Sequence, residues 1–368
     1  MKKNFYFIGI DIAKETFVAS IYHKPNEPVL TKEDIPNNPK GYDQLLLWLQ
    51  DHKIGKNNCQ ICMEATGVYS QGIAYYLLVQ GYKVTVESPL KVKRAFHPAG
   101  HKTDPVDSRQ IAEYAYRFSD QLIPWQPKEE LLEKIRQLLS VREQFTKQKV
   151  AIKNAMGAYS QQKVQVKLIK KAHQQTLTQL EKQIAKIDKE LAKLIREDPE
   201  ILSKFNKLDS IPGYGMLLSA HLLVMTNNFS QIKDYKRLAA FIGIAPYQYQ
   251  SGTSVHKKAK IRHYGPMASR KFLRLAAQSV ATHDVTFRQY YLRKLAQGKE
   301  KALVLNNIAN KLLKVACAMI RNNTRYIKEH RSVHPMYLKS AWQSHSVRND
   351  EERKSFVLVI ASLALNFC

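Results

Sequence analysis

The first 120 residues are a series of short apolar runs separated by polar turns. Phe5–Ile10, Phe17–Tyr22 and Val29–Ile35 read as three strands, each about the length that a half-buried strand needs. Tyr42–His52 places Leu45, Leu46 and Leu49 at helical spacing. A strand over Cys59–Met63, a helix over Tyr69–Gln80, a strand over Tyr82–Glu87 and a helix over Asp104–Phe118 follow. Three early strands followed by alternating helices and strands predict an α/β layer, a mixed sheet flanked by helices.

The pattern changes between Lys128 and Asp198. Leu177, Leu180, Ile184, Ile187, Leu191 and Leu194 recur at spacings of three and four, with Lys and Glu between them. That is the seam of a coiled coil. Met156–Gln162, which holds a glycine, is the expected turn between two long helices. An antiparallel hairpin within one chain and a dimerising coiled coil both fit the seam. Pro199 and Pro212-Gly213 mark the next boundary. Ile211-Pro-Gly-Tyr-Gly215 before the apolar run Leu217–Val224 is similar to the hairpin of a helix-hairpin-helix module. In such a hairpin, glycines such as Gly213 and Gly215 let backbone N–H groups approach a phosphate. The expected fold class is therefore α/β plus all-α. The sheet domain has the element order of an RNase H-like fold and covers 1–125. A helical coiled-coil segment (126–200), a mainly helical domain (201–330) and a tail (331–368) follow.

Charge refines this division. The 368 residues carry 58 Lys and Arg against 31 Asp and Glu, a formal net charge of +27. Residues 1–120 hold 15 basic and 13 acidic residues, so nearly all the excess lies beyond them. Such a surplus implies a polyanionic partner, most simply nucleic acid. Four cysteines do not make a disulfide scaffold, and a reducing, cytoplasmic setting is expected. Cys59 and Cys62 fall three apart in a strand, so they point to opposite faces and make a poor zinc pair. The apolar tail Phe356–Cys368 has 13 residues, short of the roughly 20 that span a bilayer. It reads as a docking helix or strand.

Against the basic background, four acids stand where metal-dependent phosphoryl transfer would use them. Asp11 follows one apolar run and Glu64 another, while Asp104 and Asp107 share one face at the start of a helix. Carboxylate oxygens suit Mg²⁺ or Mn²⁺, and such ions can activate a nucleophile and polarise a phosphodiester. One such acid alone is best read as a cap or a solvated surface residue, and Asp104 before Pro105 has the form of an N-cap. Four together point to a metal site.

The second constellation is the 49-residue interval between Asp234 and Asp284, which contains no acid. It carries Lys236, Arg237, Lys257, Lys258, Lys260, Arg262, Arg270, Lys271 and Arg274, cations suited to phosphates. Tyr247, Tyr249 and Tyr264 could stack on bases or pack in a core. Gln250-Ser-Gly-Thr-Ser254 is a polar turn within the interval. Its Ser251 could be a nucleophile if activated, or an ordinary turn residue.

Three blocks, Gly9-Ile-Asp-Ile-Ala-Lys14, Met63-Glu-Ala-Thr-Gly-Val-Tyr69 and Lys102-Thr-Asp-Pro-Val-Asp107, resemble those of the DEDD transposases of the insertion sequence 110 family and of the related Piv invertase. Ile211–Gly215, Phe241-Ile-Gly-Ile-Ala-Pro246, Ser251-Gly252 and Gly265 resemble that family's second conserved domain. The similarity runs from about residue 5 to about 325. It implies an RuvC-like, RNase H-fold catalytic domain whose four acids bind Mg²⁺. It also implies a serine, Ser251 by position with Ser254 as fallback, that forms a covalent phosphoserine with DNA. Donor and target DNA, a bridge RNA guide and a homodimer or homotetramer are the implied partners, with no membrane. Lys102, Gly213 and Gly215 join the cations from Lys257 to Arg274 as expected nucleic-acid contacts. Ser108 stands where the family usually has alanine. A plain RuvC-like nuclease using water, and a non-catalytic nucleic-acid-binding protein, are the rival functions.

Overall fold

Strand and helix assignments in the first 127 residues follow directly from the alternation of apolar runs. The elements are β1 (Tyr6–Ile12), β2 (Thr16–Tyr22), β3 (Leu30–Pro36), α1 (Pro39–Asp51), β4 (Cys59–Glu64), α2 (Gln71–Val79), β5 (Val84–Glu87), α3 (Pro89–Ala95) and α4 (Asp104–Arg117). They come from a computed structural model that describes residues 5–96, 103–127, 129–232, 234–251, 255–261 and 265–327, with backbone alone at 248–251 and 255–260. The five strands form one sheet in the order β3-β2-β1-β4-β5. The β1–β2 and β2–β3 pairs are antiparallel, whereas β4 runs parallel to β1 and β5 parallel to β4. This is the expected mixed sheet. The short helix α3, which begins at Pro89, was not anticipated.

Residue alternation separates two cores. Ile8, Ile10, Ile61, Met63 and Val84 pack on one face with Leu45 and Leu49 of α1 and Ile73 and Leu77 of α2. Phe7 and Cys62 point to the other face, against Ile111, Ala112 and Ala115 of α4. Cys59 and Cys62 are both buried, one in each core, as strand periodicity requires. Burial pushes both thiols up to about 12.

The chain divides after Pro127 into a second unit. It contains α5 (Glu130–Ser160), α6 (Lys167–Glu197), α7 (Pro199–Asp209), α8 (Met216–Thr226), α9 (Tyr235–Ile242), β6 (Pro246–Ser251), β7 (Val255–Ile261), α10 (Met267–His283), α11 (Val285–Ala296) and α12 (Lys301–Asn322). Helices α5 and α6 form an antiparallel hairpin within the chain. Arg142 binds Asp188 through two hydrogen bonds, and Lys149 meets Glu181 farther toward the tip. The seam residues Leu177, Ile184, Leu191 and Leu194 are buried. The turn falls later than the glycine suggested. Gly157 lies inside α5, and the reversal occupies 161–166. A glycine costs a helix only about 1 kcal/mol, which the long seam outweighs.

At its base the hairpin shares one core with the following helices. Leu132, Ile135 and Leu191 pack with Ile201 of α7, Leu222 of α8, Leu273 of α10 and Leu312 of α12. By length and composition α12 is the one helix among the described residues that could cross a bilayer, but its stripe from Val304 to Met319 is buried in this core. The expectation of a mainly helical region missed one element, the antiparallel hairpin β6–β7. Tyr247 and Tyr249, two apart on β6, lie opposite Lys260 and Lys257 of β7. The tail 331–368, with its expected docking segment, lies outside the described residues.

Candidate active site and nucleic-acid surfaces

Asp11 sits within β1, one residue before its end, and Glu64 is the last residue of β4. Because Ile10 is in register with Met63 on parallel strands, Asp11 and Glu64 are lateral neighbours at the C-terminal ends of the two central strands. Alternation puts both on the face that α4 covers. Phe7 and Gly9 precede Asp11 on that face, and Cys62 precedes Glu64.

Helix α4 runs antiparallel to β1. Its Ser108 and Ala112 lie over Gly9, while Tyr116, two turns on, meets Phe7 with ring centres 5.6 Å apart. A Cβ on Gly9 would stand 2.2 Å from the Ser108 carbonyl oxygen and 2.3 Å from the Ala112 nitrogen. Glycine is therefore required for the helix to approach this closely. The orientation brings the first turn of α4, with Asp104 and Asp107, to the same end of the sheet as Asp11 and Glu64. Asp104 is exposed, and the other three are half-buried. The cap is Thr103 rather than Asp104, so Asp104 is the first helical residue and Pro105 the second. Acids there also complement the positive end of the helix dipole.

Side-chain hydrogen bonds hold this arrangement. The buried hydroxyls of Ser108 and Ser20 are 2.7 Å apart, and Ser20 in turn lies 3.0 Å from Thr31. Ser108 thus ties α4 to β2, which explains why the larger residue fits where alanine was expected. The Asn37 amide donates to the Ala13 carbonyl at 3.0 Å and to the Tyr69 carbonyl at 3.2 Å, while Tyr42 donates to its oxygen at 2.9 Å. One side chain thereby bridges the loops that follow β1 and β4, the two segments that carry Asp11 and Glu64.

A fifth acid on this face escaped the sequence reading. Glu87 ends β5 in register with Glu64, is 5% exposed and pairs with Lys91 at 3.0 Å. Its signal was present, since Glu87 closes an apolar run just as Glu64 does. The Tyr114 hydroxyl is pushed up by burial and then by the nearby Glu87.

All the carboxylate donors are hard oxygens, a chemistry that fits Mg²⁺ or Mn²⁺. The described side chains do not, however, gather three His, Cys, Asp or Glu residues around one point as a ready metal site. The backbone brings the acids to one end of one face, and a bound ion would have to draw the carboxylates inward.

In the second unit, Ser251 ends β6 opposite Val255. Gly252, Thr253, the fallback Ser254, Arg262 and Tyr264 lie outside the described residues, as does Lys102 in the first unit. Lys257, Lys258 and Lys260 belong to β7. Arg270, Lys271 and Arg274 of α10 line a shallow groove of about 410 Å³ with Met267 and Gln278. A second groove of about 360 Å³ runs between α10 and the start of α8, where Gly215 is the cap residue. Gly213 serves packing, since its φ is +80° and a Cβ would fall 2.7 Å from the Ala276 carbonyl oxygen of α10. Burial lowers the pKa of His221, whose ring lies 5.4 Å from Phe272.

Comparison with known proteins identifies the family. Residues 8–164 match a DEDD transposase model of the IS110 type, and residues 206–292 match a model described as transposase, IS116/IS110/IS902 family. The pilin gene-inverting proteins of Moraxella lacunata and Moraxella bovis are each 30% identical over 325 residues, covering 88% of this chain and 98% of theirs. A 43.6 kDa protein of insertion element IS110 from Streptomyces coelicolor is 33% identical over 119 residues, covering 32% of this chain and 29% of its own. The chain belongs to the IS110/IS116/IS902 family of transposases and is a DNA transposase or recombinase.

Proposed function

We propose that this transposase cuts and rejoins DNA through a composite, divalent-metal-dependent site made of Asp11, Glu64, Asp104 and Asp107 together with Ser251. The observation that carries the reading is the convergence of the two central strand ends and the first turn of α4 at one end of one sheet face. The sheet order β3-β2-β1-β4-β5, with its antiparallel half before its parallel half, supports an RNase H-like, RuvC-like fold for this unit. The four carboxylates would hold Mg²⁺ or Mn²⁺, which would polarise the phosphodiester and favour the alkoxide form of the nucleophile.

The chain's own residues have distinct tasks. Ser251 Oγ bonds to the scissile phosphorus as the bond to a deoxyribose oxygen breaks, the serine losing a proton and the leaving oxygen taking one up to become a hydroxyl. Attack by a deoxyribose hydroxyl on that phosphoserine reverses the exchange and releases the serine. The interval from Tyr235 to His283 supplies no carboxylate base, and in this reading the metal that the four acids would hold activates the serine. Lys257, Lys258, Lys260, Arg262, Arg270, Lys271, Arg274 and Lys102 hold phosphates, and Gly213 and Gly215 line the second groove, between α8 and α10. A bridge RNA as guide and a homodimer or homotetramer complete the reading, with 1–125 as catalytic domain, 126–200 as helical spacer, 201–330 as serine-bearing domain and 331–368 as tail. Near full-length similarity to proteins named for gene inversion supports a rearrangement that rejoins strands rather than one that only cuts.

Trapping tests this. Wild-type protein incubated with DNA and Mg²⁺ and then denatured should carry a covalent DNA adduct that Ser251→Ala abolishes and Ser254→Ala retains. Cleavage without an adduct in wild type would instead assign the acids to a water-using nuclease.

A further inference from the structure

Helices α9, α11 and α12 place three cations against two tyrosine rings. The Lys311 ammonium stands 4.4 Å from the centre of the Tyr290 ring, and the Arg293 guanidinium carbon stands 5.8 Å from the same centre. Lys314, one turn along α12, lies 5.6 Å from the ring of Tyr235 in α9. Lys294 adjoins Arg293 and donates to Gln297 at 3.0 Å. Each ring face attracts a cation. Two cations at one ring nevertheless repel each other.

No carboxylate of these helices relieves the repulsion, because α9, α11 and α12 contain no acidic residue. The acids at the N-termini of α9 and α11 are engaged as helix caps. Asp234 caps Arg237 and Asp284 caps Phe287, each at 3.0 Å, and Glu300 precedes Lys311 by eleven residues, about 16 Å of helix. Some lysines elsewhere in the unit are paired on their own helices, as Lys134 is with Glu130 and Lys147 with Glu143. Among the described residues Arg293, Lys294 and Lys311 form no ion pair. The Lys311 ammonium is held below its usual pKa, first by partial burial and then by Arg293, Lys294 and Lys314. Among the described residues, the charges that lower it are all positive.

We propose that this cluster is a binding site for the phosphodiester backbone of nucleic acid, sharing no residue with the α10 groove. A chain of phosphates supplies the negative charge that the three helices lack. The inference rests on the reading that this unit binds nucleic acid, and it adds a second surface to it.

The test uses the full chain freed of copurifying nucleic acid, with fluorescein-labelled duplex DNA and an RNA hairpin as separate probes. Anisotropy is measured across a salt series. The double variant Arg293→Gln/Lys311→Gln should weaken binding to at least one probe by on the order of tenfold at ~0.1 M salt. For duplex it should reduce the log–log salt slope by about 1.8, two phosphate contacts' worth. The charge-preserving pair Arg293→Lys/Lys311→Arg should bind as wild type does. A loss confined to one probe identifies which nucleic acid the site holds. Unchanged affinity and slope for both probes would overturn the proposal, as would an equal loss in the charge-preserving pair. If the double variant fails to fold, Lys294→Gln carries the same test with a slope change of about 0.9. A wild-type chain that binds neither probe would overturn the underlying reading as well, which separates the two failures.

Discussion

Replacing Gly9 with alanine places a methyl carbon 2.2 Å from the Ser108 carbonyl oxygen, 2.3 Å from the Ala112 nitrogen and 2.8 Å from its Cα. All three are backbone atoms, so no side chain can swing aside. Helix α4 must withdraw by about 1 Å to restore ordinary contact, and overpacking of this kind costs about 1–3 kcal/mol. The same shift carries Asp104 and Asp107 away from Asp11 and Glu64. A misplacement of about 1 Å in a reacting constellation can cost on the order of 10²-fold in rate. Gly9→Ala should therefore lower the denaturation midpoint followed by circular dichroism. It should also reduce strand exchange far more than the loss of folded protein explains, when assayed where the variant remains folded. Wild-type stability together with wild-type activity would refute the placement of α4 over β1.

Three further outcomes follow from the same geometry. Ser108→Ala removes the hydroxyl contact with Ser20 but leaves Ser20 beside Thr31, so a loss of about 1 kcal/mol in chemical denaturation is expected with little change in activity. Asn37→Ala removes the donors to Ala13 and Tyr69. A stability loss of about 1–3 kcal/mol should accompany a larger fall in strand exchange, because the loops beside Asp11 and Glu64 are freed together. The thiols of Cys59, Cys62 and Cys317 are each pushed up to about 12 from an ordinary value of 9.0, chiefly by burial. Their stabilising effect is complete below pH 9 and is lost between pH 9 and 12, where only the unfolded chain ionises. Thermal melting across that window should show stability falling with rising pH, and Cys59→Ala/Cys62→Ala/Cys317→Ala should flatten the pH dependence.

Much of the first unit was legible because its elements are short and strongly patterned. The apolar runs gave every strand to within two residues, and the acids after them marked strand ends. What one sequence could not supply was the direction in which α4 crosses the sheet. That depends on the absence of a side chain at Gly9 and on hydroxyls at Ser20 and Ser108, 88 residues apart. Glu87 closes an apolar run as Glu64 does, but only the β4–β5 register places it next to Glu64. In the second unit the leucine seam was plain, but it left open a partner in the same chain or another. Arg142 with Asp188 and Lys149 with Glu181 gave the antiparallel pairing inside one chain. The turn was misplaced because one glycine in a 31-residue helix is a weak breaker. The β6–β7 hairpin was hidden by composition, since Lys-rich β7 reads as a solvated run while its alternation with Tyr247 and Tyr249 emerges only on pairing.

The proposed function requires Asp11, Glu64, Asp104 and Asp107 to form one cation site. Titrating the full chain with Mn²⁺ while following the signal of the free ion by electron paramagnetic resonance tests this without relying on activity. Wild type should bind Mn²⁺ competitively with Mg²⁺, and Asp11→Asn, Glu64→Gln and Asp107→Asn should each weaken binding by tenfold or more, about 1.4 kcal/mol. Binding that survives all three substitutions unchanged, in variants that melt as wild type does, would contradict the claim.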